Sequence, residues 1–422
     1  MIASLRQEFN AAYRASEYLE LLTSLQRIST TRIEFRISET PVFFPKALLE
    51  QMAEAGSALT HRLLAWPEYM ASARASIPSA YLVAGETPHP HFLTADFALI
   101  RDTSDHLSPR LVEIQAFPSV FGYQELLARS YRAIYNLPDS LGIFLSGLDS
   151  EGYWKLLRET IVGNHDPRHV VLTEVDPDSQ KTLPDFLITS KQLGITVIDI
   201  ATIEPKGKKL HYRDKLGRLI PIHRIYNRAI ADEMIARKIQ LRFDLTKDWD
   251  VEWAGHPNWY FLISKYSVPW LSASDGPESA LVPPAVFLDD FLAGPGQKRL
   301  AEAGVKLAEG DGPGVVYDDL LLKPLFSFAG KGIQFAPSRL ELESIPEPEQ
   351  KNYLLQQRMH FVPTVETPHG LTQAEIRILY AWPDGGKLTP LMPLVRLGRG
   401  KMMGVDHNRN LEWVGASAAF WQ

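Results

Sequence analysis

The spacing of the apolar residues changes at about residue 92, and this change favours a fold that mixes helices with strands. Before it the spacing is helical, and the clearest helical stripe follows Phe44-Pro45, where proline suits a first helical position. That stripe consists of Leu48, Met52, Ala55, Leu59 and Leu63. Beyond residue 92 there are short β-like runs at 97–100 and 111–117, and then a helical stretch at 125–136. The pattern predicts a helical segment over residues 1–90, followed by an α+β core.

Strand-like and helix-like runs alternate between residues 166 and 255. The strand-like runs HVVLTEV and TVIDI flank the helix-like run LPDFLITSKQLG, and a charged hairpin around Gly217 follows. This alternation predicts an α/β region at 166–255. The other two segments, 91–165 and 256–422, carry the candidate chemical residues.

Charge and cysteine content exclude several classes of protein. Lysine plus arginine number 44 and aspartate plus glutamate 50, and the net charge of −6 without any basic block argues against nucleic-acid binding through bulk positive charge. Because cysteine is absent, disulfides, thiolate nucleophiles and thiolate metal sites are excluded. The amino-terminal residues carry glutamates at helical intervals, and nowhere do 18 apolar residues run together. We therefore expect a soluble, cytoplasmic protein that binds neither nucleic acid nor membrane.

The segment DFALIRDTSDHLSPRLVEIQAF, residues 96–117, has the pattern of a hairpin. If it turns about Ser104-Asp105, Asp96 lies opposite Glu113 and the two carboxylates are cross-strand neighbours. Such a pair is destabilising unless a cation lies between the carboxylates or one of them takes up a proton. Gln115 points to the same face and adds a carbonyl oxygen, so the three residues are candidate Mg²⁺ ligands. A solvated face of an edge hairpin is the alternative interpretation.

A lysine followed by a glycine loop stands at residues 320–335, LLLKPLFSFAGKGIQF. Lys323 ends an apolar run, and Gly330 and Gly332 allow the backbone N–H groups of the loop to approach a phosphate closely. The sequence contains neither GxxxxGK[ST] nor a GxGxxG between a strand and a helix. An ordinary glycine hairpin, with Lys323 extending to water, explains the pattern equally well.

Two more segments carry candidate groups for a phosphate-containing ligand. Lys265 is the charged residue of the aromatic segment HPNWYFLISKYSVPWL, where an exposed lysine on a helix is the alternative. In YLLQQRM, Gln356 or Gln357 is placed to present amide groups to the edge of an adenine. Glu375 and Arg377 share one face of the strand predicted for AEIRILYAW. A single strand shows such features by chance, so the order of the motifs carries the interpretation.

In this order the motifs resemble the ATP-grasp superfamily, in the permuted arrangement of eukaryotic-type glutathione synthetases and glutathionylspermidine synthetases. TADF at 94–97 with EIQ at 113–115 is similar to the metal-binding R-x-D-F and E-x-N of that branch. WYFLISK at 259–265, followed by LVPP, resembles W-x-x-x-x-S-N-K and L-L-P, and KPLFSFAG at 323–330 resembles part of K-P-x-x-x-R-E-G. QQRM is similar to the hinge that holds adenine, and LVRLGRG at 394–400 to the late arginine strand.

The resemblance implies an ATP-grasp-like α+β fold, in which ATP lies between two antiparallel sheet units next to an α/β substrate-binding region. Segment 91–165 is then the metal-binding part, 166–255 the substrate-binding part, and 256–422 the ATP-binding part with a glycine-loop lid and C-terminal strands. The implied activity is ATP- and Mg²⁺-dependent carboxylate–amine ligation through an acyl phosphate. The implied substrate is an amino acid, a peptide or a polyamine-like molecule.

The resemblance also implies roles for individual residues. Lys323 and Arg377 are the expected catalytic residues. The expected metal ligands are Asp96, Glu113 and Gln115. The expected ATP-binding residues are Lys265, Lys323, Gly330, Gly332, Gln356, Gln357 and Arg396.

Three positions depart from the family pattern. Thr94, Gln115 and Ala329 stand where arginine, asparagine and glutamate are usual. These departures leave open a degenerate ATP-grasp protein that binds nucleotide or a partner without ligating anything. A third hypothesis is an unrelated metal-binding protein that uses His89 and His91 of TPHPHF, although the neighbouring prolines favour a surface loop.

Overall fold

The structure is a computed structural model that describes residues 1–102, 106–308, 310, 312–327, 330, 332–400, 403, 408 and 410–422. The predicted turn at Ser104-Asp105 and the loop residue Ala329 lie outside these residues. The helices are α1 (Ala3–Ala12), α2 (Ala15–Ser29), α3 (Lys46–Leu64), α4 (Pro67–Ala75), α5 (Phe121–Ile134), α6 (Ser150–Ile161), α7 (Leu183–Leu193), α8 (Ala231–Ala236), α9 (Trp259–Leu262), α10 (Ser267–Ser272), α11 (Leu288–Leu292), α12 (Pro295–Glu302), α13 (Arg339–Glu343) and α14 (Glu347–Gln350).

The strands lie between these helices, singly or in consecutive groups. They are β1 (Val42–Phe44), β2 (Phe92–Arg101), β3 (Leu107–Gln115), β4 (Val170–Glu174), β5 (Thr196–Asp199), β6 (Glu204–Lys206), β7 (Lys209–Arg213), β8 (Leu219–Ile222), β9 (Arg224–Asn227), β10 (Glu252–Ala254), β11 (Ala285–Phe287), β12 (Leu320–Pro324), β13 (Gln334–Phe335), β14 (Tyr353–Gln357), β15 (Pro363–Thr367), β16 (Gly370–Ala381), β17 (Thr389–Gly398) and β18 (Gly415–Trp421). The chain therefore has a mixed α+β fold with several sheets, as the sequence predicts.

The large sheet unites the β2–β3 hairpin with the carboxyl-terminal strands. Its strand order is β1-β18-β17-β16-β2-β3, with β15 paired to β16; β1 is parallel to β18 and the other neighbours are antiparallel. On one face, side chains such as Phe97 and Ile376 pack with the apolar side of α3. On the other face, Phe92 and Leu379 pack with α5. Asp96 belongs to this second face, because side chains alternate along a strand.

The parallel sheet has the strand order β10-β9-β4-β5. Helix α7 connects β4 to β5, and a short antiparallel meander of β6, β7 and β8 follows. The hairpin of β7 and β8 turns at Gly217, whose φ of 75° is a left-handed conformation that glycine adopts without strain. The α/β alternation predicted from the sequence is confirmed here.

The small antiparallel sheet has the strand order β11-β14-β12-β13. Leu322 and Leu355 on one face pack into a separate core with α11 and α12. Leu354 on the other face joins the core of the large sheet. Lys323 and Gln356 stand on this second face, because they alternate with the residues of the first.

Strand β12 begins at Leu320, because Val316 makes only an isolated bridge to Ser338 and residues 318–319 form a turn. Among the described residues, no helix combines the length and the apolar composition that crossing a bilayer requires. The division at residues 90, 165 and 255 and the cytoplasmic location stay predictions.

Glu174, the last residue of β4, gives the stability of the fold a pH dependence. The side chain is buried, and its Oε1 accepts a hydrogen bond from the Val175 amide at 2.8 Å. Burial raises the pKa of Glu174 from 4.5 to about 8, although the charge of Arg228 opposes the shift. The folded state therefore holds a proton that the unfolded state has lost, so the free energy of unfolding falls as the pH rises through this interval.

We expect Glu174→Gln to remove this fall in the free energy of unfolding with rising pH, because glutamine keeps the acceptor for the Val175 amide and carries no charge. The variant should match wild type below pH 4.5 and exceed its free energy of unfolding by about 4–5 kcal/mol above pH 8, measured by urea titration. Glu8→Gln, at an exposed helical position, is the matched control and should change nothing at either pH. A gain of the same size at both pH values would contradict this account.

Candidate functional site

The two carboxylates singled out in the sequence face each other across β2 and β3. Asp96 is directly opposite Glu113, as predicted, and Thr94 is opposite Gln115. The register shifts by one residue immediately beyond Asp96. The side chain of Asp96 is 1% exposed, so its charge needs a partner in the protein.

The cations beside Asp96 are arginines. Arg377 lies opposite Asp96 in the pairing of β16 with β2, and its Nε and Nη2 donate to Oδ1 and Oδ2, each at 2.6 Å. Arg396 of β17 donates to Oδ2 as well. Burial alone would raise the pKa of Asp96, but the charges of Arg377 and Arg396 outweigh it and hold that pKa below its usual value. The repulsion expected between the carboxylates is relieved in this way.

Glu375 and Glu113 complete what we call the arginine–carboxylate cluster, formed by Asp96, Glu113, Glu375, Arg377 and Arg396. Arg396 is ion-paired to Glu375 as well as to Asp96. Glu113 Oε1 lies 3.7 Å from Arg377 Nη2. Burial raises the pKa of Glu375 even though Arg396 opposes the shift. The strand face shared by Glu375 and Arg377 is therefore confirmed, and both residues lie within one charged network.

Lys323 reaches the same region from the small antiparallel sheet. Its side chain is 5% exposed, so it does not extend to water. Within the described residues, no hydrogen bond or ion pair involves its ammonium group. Burial lowers its pKa to about 8; the charge of Glu113 opposes the shift and that of Lys265 adds to it. An ammonium group without a partner is costly to bury, which indicates a site for an anion.

Lys265, between α9 and α10, is also buried and does not lie exposed on a helix. Its ammonium group donates to the carbonyl oxygen of Ser327 and lies 3.3 Å from the Ser327 hydroxyl. The two lysines interact electrostatically, so the structure brings both of the predicted phosphate-binding lysines together.

Gln356 is fully buried, and both of its amide atoms lack a hydrogen-bond partner in the part of the chain that the structure describes. It pairs with Leu321 of β12, two residues from Lys323 on the same sheet face. Leaving a buried polar group unpaired costs about 1–3 kcal/mol, so this amide indicates a ligand that supplies both a donor and an acceptor. Gln357 instead donates its backbone N–H to the Pro284 carbonyl at 2.8 Å.

The glycine loop follows directly on Lys323. Gly330 and Gly332 have φ values of 73° and 78°, which favour glycine. A Cβ on Gly332 would come within 2.9 Å of the Pro324 ring, so Gly332 itself lies close to the end of β12.

A narrow opening lies beside these groups. It is lined by Gln115, Tyr260, Ser264, Lys265, Leu325 and Ser327. Tyr260 also lines a second opening at the carboxyl end of β9, next to Asn227. Sites outside the carboxyl ends of parallel strands commonly bind ligands. The sequence does not single out Tyr260, because a tyrosine in an aromatic segment cannot be distinguished from an ordinary core residue.

A metal ion does not fit the cluster as it is arranged. Both Asp96 oxygens are engaged by guanidinium groups, and the described residues contain no group of three His, Asp or Glu side chains placed to hold a metal. The assignment of Asp96, Glu113 and Gln115 as magnesium ligands is a prediction that this arrangement does not support. Such an ion would have to displace Arg377 and Arg396 from Asp96.

The histidines of TPHPHF have structural contacts. His89 stacks on Trp382 with 4.1 Å between ring centroids. His91 is fully buried, and its Nε2 lies 2.9 Å from Asp384 Oδ1. These contacts give no support to the hypothesis of a histidine metal site.

Comparisons with known proteins support the fold. No family model and no curated protein matches the chain. A glutathione synthetase-like effector from Globodera pallida, in its apo form, is similar in structure, with a TM-score of 0.53 and 13% identity over 96% of this chain and 97% of that one. A protein provisionally described as a gamma-glutamylcysteine synthetase, from Methylobacillus flagellatus, gives a TM-score of 0.36 and 11% identity over 90% and 89% of the two chains. The first likeness shows that the chain shares the overall fold of that protein; the second is too distant to add to it.

Proposed function

We propose that the chain binds ATP between the small antiparallel sheet and the large sheet, and uses it to join a carboxylate to an amine. One observation carries the proposal. Lys323 and Gln356, on the same buried sheet face, lack partners within the described residues, and one is a cation while the other offers an amide donor and acceptor. A nucleotide satisfies both, because its phosphates are anionic and its base edge is polar.

The adenine end of the ligand lies at Gln356. A glutamine amide binds adenine with two hydrogen bonds, to the N6 amino group and N7, which is the donor and acceptor pattern that Gln356 lacks. Gln357, the next residue along β14, points its partly exposed side chain to the opposite face of the sheet, so the amide of Gln356 is the one offered to the base. The family resemblance places the adenine at this same segment.

The phosphate end lies at Lys323 and Lys265, with Arg377 and Arg396 across the cleft on the large sheet. The glycine loop supplies backbone N–H groups at Gly330 and Gly332. Phosphoryl transfer depends mainly on positioning and on charge neutralisation, and these side chains provide both.

The reaction has two steps. A substrate carboxylate oxygen attacks the γ-phosphorus, and the bond from that phosphorus to the β–γ bridging oxygen breaks. The products of this step are ADP and an acyl phosphate. The amine nitrogen then attacks the acyl carbon, inorganic phosphate leaves, and the nitrogen loses a proton. We place the meeting of the carboxylate and the γ-phosphate at the opening lined by Lys265 and Tyr260, because Tyr260 also lines the opening at the parallel sheet.

A second candidate function is nucleotide binding without ligation. Two observations favour it: Asp96 is fully engaged by arginines, and Thr94 stands where the family has an arginine. Such a protein retains the adenine and phosphate contacts and releases no ADP.

Binding and turnover separate these functions. ATP at about 100 times its dissociation constant should add about 2.7 kcal/mol to the free energy of unfolding, seen as a rise in melting temperature. Lys323→Met should abolish the rise. The control is Lys298→Met, at an exposed position.

The same samples are then assayed for ADP release with amino acids, short peptides and polyamines. Acceptor-dependent ADP release supports ligation, and ATP binding without it supports the second candidate. If millimolar ATP leaves the melting temperature unchanged, both functions fail.

A further inference from the structure

We infer that the arginine–carboxylate cluster takes the place of a metal ion, so that the phosphates of the nucleotide bind in this cleft without a divalent cation. The inference rests on the proposed nucleotide site. It concerns how that site neutralises phosphate charge, and it departs from the magnesium-dependent binding that the family resemblance implies.

The geometry around Asp96 is the first argument. Arg377 grips both carboxylate oxygens at 2.6 Å, the bidentate arrangement that is among the strongest ion pairs in proteins. Magnesium requires oxygen ligands at about 2.0–2.1 Å in near-octahedral geometry. To reach Asp96 it would have to pass two guanidinium groups, which are positively charged like the ion itself. The pairing of β16 with β2 sets the backbone of Arg377 opposite Asp96, which places its guanidinium group beside the carboxylate.

The unused hydrogen-bonding capacity is the second argument. Arg396 Nε is buried without a hydrogen-bond partner in the described structure. The buried Lys323 makes no hydrogen bond or ion pair with the described residues, although the charge of Glu113 attracts it. Arg377 Nη1 makes only a long contact, 3.3 Å, to the Ser119 hydroxyl. All of these groups are donors. A metal ion needs acceptors, whereas phosphate oxygens need donors, so the spare capacity matches phosphate.

Charge balance is the third argument. Arg377 and Arg396 contact the carboxylates of the cluster, Lys323 is attracted by Glu113, and Lys265 lies near Lys323; among these described residues four cations stand against three carboxylates. A divalent cation added to these groups would meet net repulsion, whereas a phosphate chain is attracted to them.

The test is calorimetric titration of the full chain with ATP, in excess EDTA and in millimolar Mg²⁺. We expect the two dissociation constants to agree within about threefold. Binding in Mg²⁺ that weakens by about tenfold or more in EDTA would overturn the inference and leave the proposed function standing. Absence of binding in both buffers would overturn the proposed function and this inference together.

Two further measurements do not depend on nucleotide turnover. Arg396→Gln should weaken ATP binding in EDTA by about tenfold or more, whereas Arg168→Gln, at an exposed ion pair, should leave it unchanged. Circular dichroism checks that Arg396→Gln is folded. If that variant is unfolded, paramagnetic resonance of Mn²⁺ with the wild-type chain decides. A Mn²⁺ signal that stays that of the free ion supports the inference, and Mn²⁺ binding that is lost in Asp96→Asn would overturn it.

Discussion

Replacing Lys323 with methionine is expected to make the folded chain more stable while abolishing nucleotide binding. The ammonium group is buried without a partner in the described residues, and burial lowers its pKa from 10.5 to about 8. Methionine has a similar volume and no charge, so it removes the cost of burial and keeps the packing. We expect a gain of roughly 3 kcal/mol in the free energy of unfolding at pH 7.

The pH dependence of that gain identifies its cause. A lysine whose folded pKa is depressed costs stability fully below that pKa, and the cost disappears as the pH rises toward the unfolded value. The advantage of Lys323→Met should therefore shrink between pH 8 and pH 10.5, measured by urea titration. Lys298→Met, at an exposed position, should change the free energy by less than about 0.5 kcal/mol at every pH. A destabilised Lys323→Met would mean that the ammonium group has a favourable partner within the protein.

Replacing Arg377 with methionine should be strongly destabilising. The change leaves Asp96 buried with only Arg396 to balance it, and breaking a buried ion pair typically costs about 3–5 kcal/mol. Adding Asp96→Asn should restore a large part of the loss, because it removes the uncompensated charge. The free energies of unfolding of wild type, the two single variants and the double variant form a cycle that measures the coupling of the two residues.

The control for this cycle is an exposed ion pair. Arg168 and Asp166 are paired at the surface, so Arg168→Met should cost less than about 1 kcal/mol. Additive effects of the Arg377 and Asp96 changes would show that the two side chains do not depend on each other. The arginine–carboxylate cluster would then have no support.

The local features of this fold could be predicted from the sequence. The stripe of apolar residues in α3 and the register that sets Asp96 opposite Glu113 both depend on residues close together in the chain. The same holds for the strand that carries Gln356. Periodicity and turn chemistry contain this information, because they act over a few residues.

The cluster itself could not be predicted, because its partners are far apart in sequence. Arg377 and Arg396 are 281 and 300 residues from Asp96, and they meet it only because β16 pairs with both β2 and β17. The sequence could suggest that a cation lies beside the carboxylates. Only the strand order, which brings Arg377 and Arg396 next to Asp96, shows that this cation is an arginine side chain.

The same limit applies to the glutamines. The sequence selected Gln356 and Gln357 together, and only the pairing of β14 with β12 shows that Gln356 shares a face with Lys323. Burial of Lys323 also depends on the packing of the small sheet against the large one, which the apolar run around it does not reveal.

The most direct test of the account is a crystal structure of the full chain with a non-hydrolysable ATP analogue. We expect the nucleotide between the small antiparallel sheet and the large sheet, with adenine paired to the Gln356 amide and the phosphate oxygens within hydrogen-bonding distance of the Lys323 ammonium group. A nucleotide bound elsewhere, with Lys323 and Gln356 still lacking partners, would contradict the account.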